Sequence, residues 1–150
     1  MKKLIVIRHA QADLYSGDLT PRGVLSLRPL ERFLYEQAQG KVCEFITSTS
    51  ARAMQTAEIL SKEIDCGAER DPQFFVPDEQ VYAEQIEHFK KRMEGCLADI
   101  LIIVTHNPMI YSIQTELSQT FEDQLRVPLD LDTAQGLMFD FETQDVSLVP

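Results

Sequence analysis

Cysteine is scarce in this sequence of 150 residues. The three cysteines are odd in number and lie far apart, at Cys43, Cys66 and Cys96. They offer neither a disulfide framework nor the paired spacing of a zinc-binding knuckle. A reducing compartment is the environment in which such a chain is expected.

Long apolar runs are also missing. The run Leu4–Ile7 follows Met-Lys-Lys and is shorter than the core of a signal peptide, which needs about seven apolar residues or more. No stretch approaches the roughly 20 apolar residues of a membrane-spanning helix. We therefore expect a soluble, cytoplasmic protein.

Positive charge is in short supply, because 14 Lys and Arg stand against 24 Asp and Glu, for a net charge of −10. The excess lies in residues 76–150, which hold four basic and fourteen acidic residues, whereas residues 1–75 hold ten of each. A nucleic-acid-binding protein normally has a basic face, and an anionic membrane repels an acidic protein. We expect neither as a partner. Any bound anion must be held by a few well-placed cationic groups.

What remains is an ordinary globular composition, with 44% apolar and 25% charged residues, in a length typical of one domain. We expect residues 1–150 to form a single domain. Apolar runs rich in β-branched residues predict buried strands at 3–7, 42–47 and 100–104, with helices between them and two further strands at 137–141 and 146–149. This alternation predicts a three-layer α/β/α sandwich with a mostly parallel sheet and an antiparallel edge strand.

Several residues mark where the helices begin and break. Thr20 is a good cap for a first helix that carries Val24 inward, and Pro29 predicts a break near residues 25–28. Either Ser48 or Ser50 caps the helix after the second strand. A further helix is predicted over 79–94, Asn107 is expected to cap the last one, and the segment 118–135 is acidic and loop-like.

Arginine and histidine follow three of the predicted strands. Arg8 and His9 come directly after the first strand, Ser48 and Arg52 follow the second, and His106 follows the strand at 100–104. Ligands of open α/β sheets bind beyond the carboxyl ends of the strands. We therefore expect these side chains to meet at one edge of the sheet, as a positive spot in an acidic protein.

This combination of side chains favours a phosphate site. Arginine binds phosphate with its planar fork, and helix N-termini near Ser48 and Asn107 add backbone donors. Histidine is a nucleophile toward phosphorus, so transfer through phosphohistidine is the expected chemistry. A zinc site is the weaker interpretation, because His9 and His106 lack ligands at the usual spacing and lie beside two arginines.

Four elements of the sequence resemble the motifs of the histidine phosphatase superfamily, which has the phosphoglycerate-mutase-like fold. In chain order they are Arg8-His9-Ala10, Leu19-Thr20-Pro21-Arg22-Gly23, the block Ser48–Ala57 with its Arg52-Ala53-Met54-Gln55-Thr56-Ala57, and Val104-Thr105-His106-Asn107-Pro108. The short chain with two C-terminal strands resembles the small SixA-type phosphohistidine phosphatases.

The resemblance implies that His9 is the nucleophile, that Arg8, Arg52 and His106 hold the phosphoryl group, and that neither a metal nor an organic cofactor takes part. The position of the family's general acid falls near Asp78 and Glu79. Where some small members have an arginine before the Leu-Thr element this chain has Gly17-Asp18, and Arg22 is the candidate substitute. Ala10 stands in place of the motif's glycine, which requires a negative φ there.

We therefore predict a metal-independent phosphatase that hydrolyses a phosphohistidine in a protein, or a small phosphoester, through phospho-His9. An inactive or weakly active module of the same fold that binds a phosphorylated partner is the alternative. A receiver-like domain is disfavoured, because Arg8 and His9 stand where receiver chemistry requires acidic residues. The sequence leaves the oligomeric state open.

Overall fold

The chain forms one six-stranded sheet with helices on both faces, in a computed structural model that describes residues 1–121, 127–128 and 130–150. The strands are β1 (Lys3–Arg8), β2 (Cys43–Thr47), β3 (Ala68–Arg70), β4 (Ile100–Thr105), β5 (Gly136–Asp140) and β6 (Asp145–Val149). The helices are α1 (Pro21–Ser26), α2 (Arg28–Ala38), α3 (Ala51–Glu63), α4 (Ala83–Glu94) and α5 (Asn107–Leu117), and a single 3₁₀ turn spans Pro72–Phe74.

The strand order is β3-β2-β4-β1-β5-β6. Strands β1 to β4 run parallel, β5 pairs antiparallel with β1, and β6 closes the edge antiparallel to β5. The predicted α/β class with a mostly parallel sheet is confirmed. Strands β1 and β4 occupy the centre, which is why their sequences are continuous apolar runs rather than alternating ones.

The side chains of the two central strands alternate between two hydrophobic cores. Leu4, Val6, Leu101 and Ile103 lie in one core with Phe89 of α4 and Ile110 of α5. Ile5, Ile7, Ile102 and Val104 lie in the other with Leu27, Leu30, Leu34 and Leu60, which come from the α1–α2 junction, α2 and α3. The domain therefore has three layers, with the sheet between two layers of helices. The carboxyl ends of the adjacent parallel strands β1, β2 and β4 lie side by side.

The predicted start and break of the first helical region are confirmed. The Thr20 hydroxyl accepts a hydrogen bond from the Gly23 amide at 3.0 Å, and the helix breaks at Leu27, two residues before Pro29. Val24 was predicted to face inward and is 41% exposed, so that prediction is wrong. The buried apolar side chains of this region are Leu27 at the break and Leu30 and Leu34 on α2.

Other boundaries differ from the prediction. Ser50, not Ser48, caps α3, since its hydroxyl accepts from the Ala53 amide at 3.2 Å. Helix α4 begins at Ala83 rather than at residue 79, because Glu79 has a left-handed backbone with φ of 57°. The cap of α5 is His106 and not Asn107, which is the first helical residue.

Strand β3 and the segment 118–135 have sequences without clear hydrophobic periodicity. Strand β3 was not predicted, because its three residues Ala68–Arg70 include only one apolar side chain. The predicted loop over 118–135 falls partly on 122–126 and 129, which lie outside the described residues. None of the helices in the described ranges is long and apolar enough to cross a membrane.

Gly23 is required by a close approach of backbones. A Cβ atom built there lies 2.2 Å from the carbonyl oxygen of Gln11, so α1 touches the segment after β1 directly. We expect Gly23→Ala to lower the free energy of unfolding by about 1–3 kcal/mol, the usual cost of overpacking. Urea denaturation measures the loss.

Gly67→Ala is the matched control for Gly23→Ala. A Cβ atom at Gly67 meets nothing within 4 Å, and its φ is not positive. The control should leave stability within about 0.5 kcal/mol of the original, as exposed substitutions generally do. Equal stabilities for the two variants would contradict the close approach at Gly23.

Candidate active site

A cleft of about 550 Å³ opens at the carboxyl ends of β1 and β4. It is lined by Arg8, His9, Arg52, Val76, Glu79, Val81, His106, Asn107, Pro108, Tyr111, Ser112 and Asp130. The four residues expected to carry the chemistry, Arg8, His9, Arg52 and His106, all lie here. Arg22, Ser48 and Asp78 do not line the cleft.

His9 has one ring nitrogen committed to the backbone and the other directed at an arginine. Its Nδ1 lies 2.9 Å from the carbonyl oxygen of Ala10, which accepts only, so Nδ1 carries the proton. Its Nε2 accepts a hydrogen bond from Nε of Arg52 at 3.2 Å. Burial and the two arginines lower the pKa of His9 to about 4, against the backbone hydrogen bond that raises it. At neutral pH, Nε2 of His9 is therefore unprotonated, and its lone pair accepts the hydrogen bond from Arg52.

His106 lies beside His9, with the ring centroids 5.3 Å apart. The Ser48 hydroxyl holds its Nε2 at 2.8 Å, and Phe75 packs edge-on against the ring at 5.9 Å. Burial, followed by the charges of His9 and the two arginines, lowers the pKa of His106 to about 3. Ser48 thus orients His106 rather than forming part of the cleft wall.

Arg8 is hydrogen-bonded to a segment that is distant along the chain. Its Nη1 donates to the carbonyl oxygen of Leu131, while its buried Nε has no hydrogen-bond partner among the described residues. Asn107 holds the same residue on both sides: its Nδ2 donates to the Leu131 carbonyl at 3.1 Å, and its Oδ1 accepts from the Leu131 amide at 3.2 Å. The segment around Leu131 is thereby fixed to the site.

Gln55 and Thr56 of α3, which belong to the motif block Ser48–Ala57, form hydrogen bonds to the chain that follows His9. The Thr56 hydroxyl accepts from the Ala10 amide at 3.0 Å and donates to the Arg52 carbonyl at 2.8 Å. Gln55 accepts from the Leu19 amide at 2.7 Å. These bonds fasten α3, and with it Arg52, to the chain that follows His9. The φ of Ala10 is not positive, as an alanine there requires.

Two candidate general acids were predicted, and they differ in position. Glu79 lines the cleft, whereas Asp78 does not. Glu79 also has a left-handed backbone, with φ of 57°. A non-glycine residue held in this region is strained, and such strain is common at functional sites.

The sequence interpretation missed Tyr111, Ser112 and Asp130 as cleft residues. Tyr111 lies one helical turn after Asn107 on α5, so the helical period was a usable signal for it. Nothing in the sequence pointed to Asp130. It reaches the cleft because Arg8 and Asn107 bind Leu131, more than twenty residues away from either along the chain.

No family model matches the sequence, and no curated protein matches it. Solved structures do. The SixA protein of Agrobacterium tumefaciens superposes with a TM-score of 0.71 over 99% of this chain and 96% of its own, at 14% identity. The protein histidine phosphatase SixA, in complex with tungstate, gives 0.69 over 97% and 93%, at 16% identity.

The chain has the histidine-phosphatase fold. A mycobacterial glucosyl-3-phosphoglycerate phosphatase matches as well, with a TM-score of 0.63 over 99% of this chain and 97% of its own, at 12% identity. Neighbours with this fold thus include phosphatases of protein histidine and of a sugar phosphoester. Within residues 1–121, 127–128 and 130–150, no cluster of three or more His, Cys, Asp or Glu side chains forms a potential metal site.

The lowered pKa values make stability depend on pH. In the unfolded chain both histidines take up protons below about pH 6.5, whereas in the folded protein His9 and His106 resist protonation until about pH 4 and 3. The free energy of unfolding that depends on the two neutral histidines is therefore fully present above pH 6.5, and it falls as the pH drops from there toward 4. We expect a loss on the order of 2 kcal/mol per histidine at pH 4.5.

Urea denaturation at pH 7.5 and 4.5 measures this loss. His106→Asn removes one titrating ring, so its stability should fall less between the two pH values than that of the original protein. Groups that titrate elsewhere contribute equally to both proteins and cancel in the comparison. An identical fall in the two proteins would contradict a buried, neutral His106.

Proposed function

We propose that the protein is a metal-independent phosphatase that works through a phosphorylated His9. The observation that supports this most strongly is the unprotonated Nε2 of His9 in the cleft, 3.2 Å from the Arg52 guanidinium. An unprotonated nucleophile thus lies next to a cation that suits a phosphoryl oxygen.

The first step forms the bond between Nε2 of His9 and phosphorus and breaks the bond between phosphorus and the leaving atom. The leaving atom keeps the electron pair and, when it is an alkoxide oxygen, takes up a proton. In the free cleft Nε of Arg52 donates to that same lone pair, so an incoming phosphoryl oxygen must take over this donor. In the second step water attacks phospho-His9 and gives up a proton to the solvent, the phosphorus–nitrogen bond breaks with its electron pair returning to Nε2, and phosphate leaves.

Two arginines balance the charge of the group in transfer. Arg8 and Arg52 carry two positive charges toward a phosphoryl dianion. His106 is neutral in the free cleft, partly because of these charges. A bound dianion offsets their repulsion and favours a protonated His106, which then donates to a phosphoryl oxygen.

The proposed substrate is a phosphohistidine in a protein or a small phosphoester, and the two differ in the help that their leaving groups require. An alkoxide needs a proton as it leaves, whereas a protonated imidazole or a nitrophenolate does not. Glu79 is the proposed donor, because it lines the cleft and its neighbour Asp78 does not.

Substitution of the acid separates the substrate classes. We expect Glu79→Gln to slow hydrolysis of an alkyl phosphate by roughly 10²–10⁴-fold, and to change nitrophenyl phosphate and phosphohistidine hydrolysis by less than about tenfold. Comparing kcat/KM on the three substrates measures this. Asp78→Asn is the matched control and should spare all three. A hundredfold loss on phosphohistidine would favour a small-molecule phosphoesterase.

One feature keeps the binding module as a second candidate. The Glu79 side chain is exposed, and no hydrogen bond from another described residue orients its carboxylate. A module without a working acid binds a phosphorylated partner and turns it over slowly or not at all. The two functions differ in the formation of phospho-His9, which the enzyme requires and the module does not.

A further inference from the structure

We propose that Asp130 makes the cleft select phosphoryl compounds whose remaining part is cationic over those in which it is anionic. This inference builds on the proposed function, since it assumes that the phosphoryl group lies at Arg8 and Arg52. It concerns the part of the ligand that the phosphoryl-binding residues do not contact.

The charges that line the cleft divide into two groups. Arg8 and Arg52 are the two basic side chains that line it within the described part of the chain, and a phosphoryl dianion neutralises both. His9 is neutral at pH 7 because its pKa is lowered, and His106 adds one positive charge when a bound dianion favours its protonation. With the phosphoryl group bound, the two carboxylates of Glu79 and Asp130 outweigh this single charge and set the sign of the field that the rest of the ligand meets.

Asp130 is placed firmly enough to exert this effect. Its neighbour Leu131 is 98% buried and is held by three hydrogen bonds, one from Arg8 and two with Asn107. The side chain that binds phosphate therefore also fixes the backbone next to Asp130. Asp130 itself is exposed and forms no ion pair with another described residue, so its charge remains available to a ligand.

The surroundings do not counteract this charge. Residues 76–150 contain fourteen acidic and four basic residues, so the half of the sequence that supplies most of the cleft wall beyond the phosphoryl-binding groups is itself acidic. A ligand with an additional carboxylate or phosphate meets repulsion here, and one with an ammonium or imidazolium group meets attraction. Asp130 is the better test residue of the two, because Glu79 also serves as the proposed acid.

Three phosphonates of similar size test the inference without any turnover. They are 2-aminoethylphosphonate, propylphosphonate and 3-phosphonopropionate, whose far ends are cationic, neutral and anionic. Their carbon–phosphorus bond survives attack at phosphorus, so calorimetry on the unmodified protein at low salt gives a Kd for each. Taking the ratio between variant and original protein for each ligand cancels the intrinsic differences between the phosphonates.

We expect Asp130→Asn to weaken binding of 2-aminoethylphosphonate about fivefold and to tighten binding of 3-phosphonopropionate about as much, with propylphosphonate in between. Both shifts should shrink at 0.5 M salt. Asp132→Asn is the matched control, because it removes the same charge from an exposed residue outside the cleft. It should leave all three Kd values within twofold.

Equal shifts for the three ligands, or the same shifts from Asp132→Asn, would overturn the inference. Failure of all three ligands to bind would also overturn it, since the phosphoryl group would then not lie at the arginines. The proposed function fails separately: if charge selection is observed but His9 never becomes phosphorylated, the cleft is a selective binding site and not an enzyme's.

Discussion

We expect His9→Ala to lower kcat by on the order of 10⁴-fold, because no other cleft group supplies the nucleophile. His106 lies close by, yet the Ser48 hydroxyl engages its Nε2, and burial together with the neighbouring charges lowers its pKa to about 3. The expected loss lies in kcat, since the arginines that bind the phosphoryl group remain.

The fold should survive this change. His9 follows the end of β1, and its ring makes one backbone hydrogen bond, to the carbonyl of the next residue. The urea midpoint at pH 7.5 should therefore stay close to the original. His88→Gln, which alters the histidine outside the cleft, is the control and should retain activity. Turnover of His9→Ala within tenfold of the original would rule out the covalent mechanism.

The second large effect is expected at Arg52. Its guanidinium lies 3.2 Å from the attacking nitrogen, where it can follow the equatorial oxygens as charge develops on them. Loss of one such oriented donor costs roughly 3–4 kcal/mol of transition-state stabilisation, or about 10²–10³-fold in kcat. Arg52→Ala should lower kcat by this factor and affect KM less.

Arg52→Lys should recover little of this loss, because an ammonium is a point charge that cannot donate two parallel hydrogen bonds. The pair Arg28→Ala and Arg28→Lys is the control, since Arg28 is exposed and lies outside the cleft. Steady-state kinetics on all four variants gives the comparison. Full kcat in Arg52→Lys would show that net charge alone matters at this position.

The sequence was sufficient to predict the position of those site residues that is set by the direction of the strands. Arg8, His9 and His106 follow apolar runs that form parallel strands, and the carboxyl ends of adjacent parallel strands lie at one edge of the sheet. Arg52 could be placed with them because α3 starts directly after β2. The sequence could therefore predict these four as neighbours without any knowledge of side-chain contacts.

Residues that depend on long-range contacts could not be predicted in this way. Asn107 has the side chain of a helix cap, but its amide binds Leu131 instead, so the local preference loses to a tertiary contact. The same contact brings Asp130 to the cleft. Glu79 lines the cleft and Asp78 does not, and no composition signal distinguishes these adjacent carboxylates.

The most direct test of the account is to map phosphate on the protein itself. The protein is mixed with a ³²P-labelled phosphohistidine peptide, quenched within the first turnover and digested. We expect one labelled peptide that contains His9, with label lost in acid and retained in base, and no label in His9→Ala. Turnover without any labelled protein, or label that is stable in acid or carried by another residue, would contradict it.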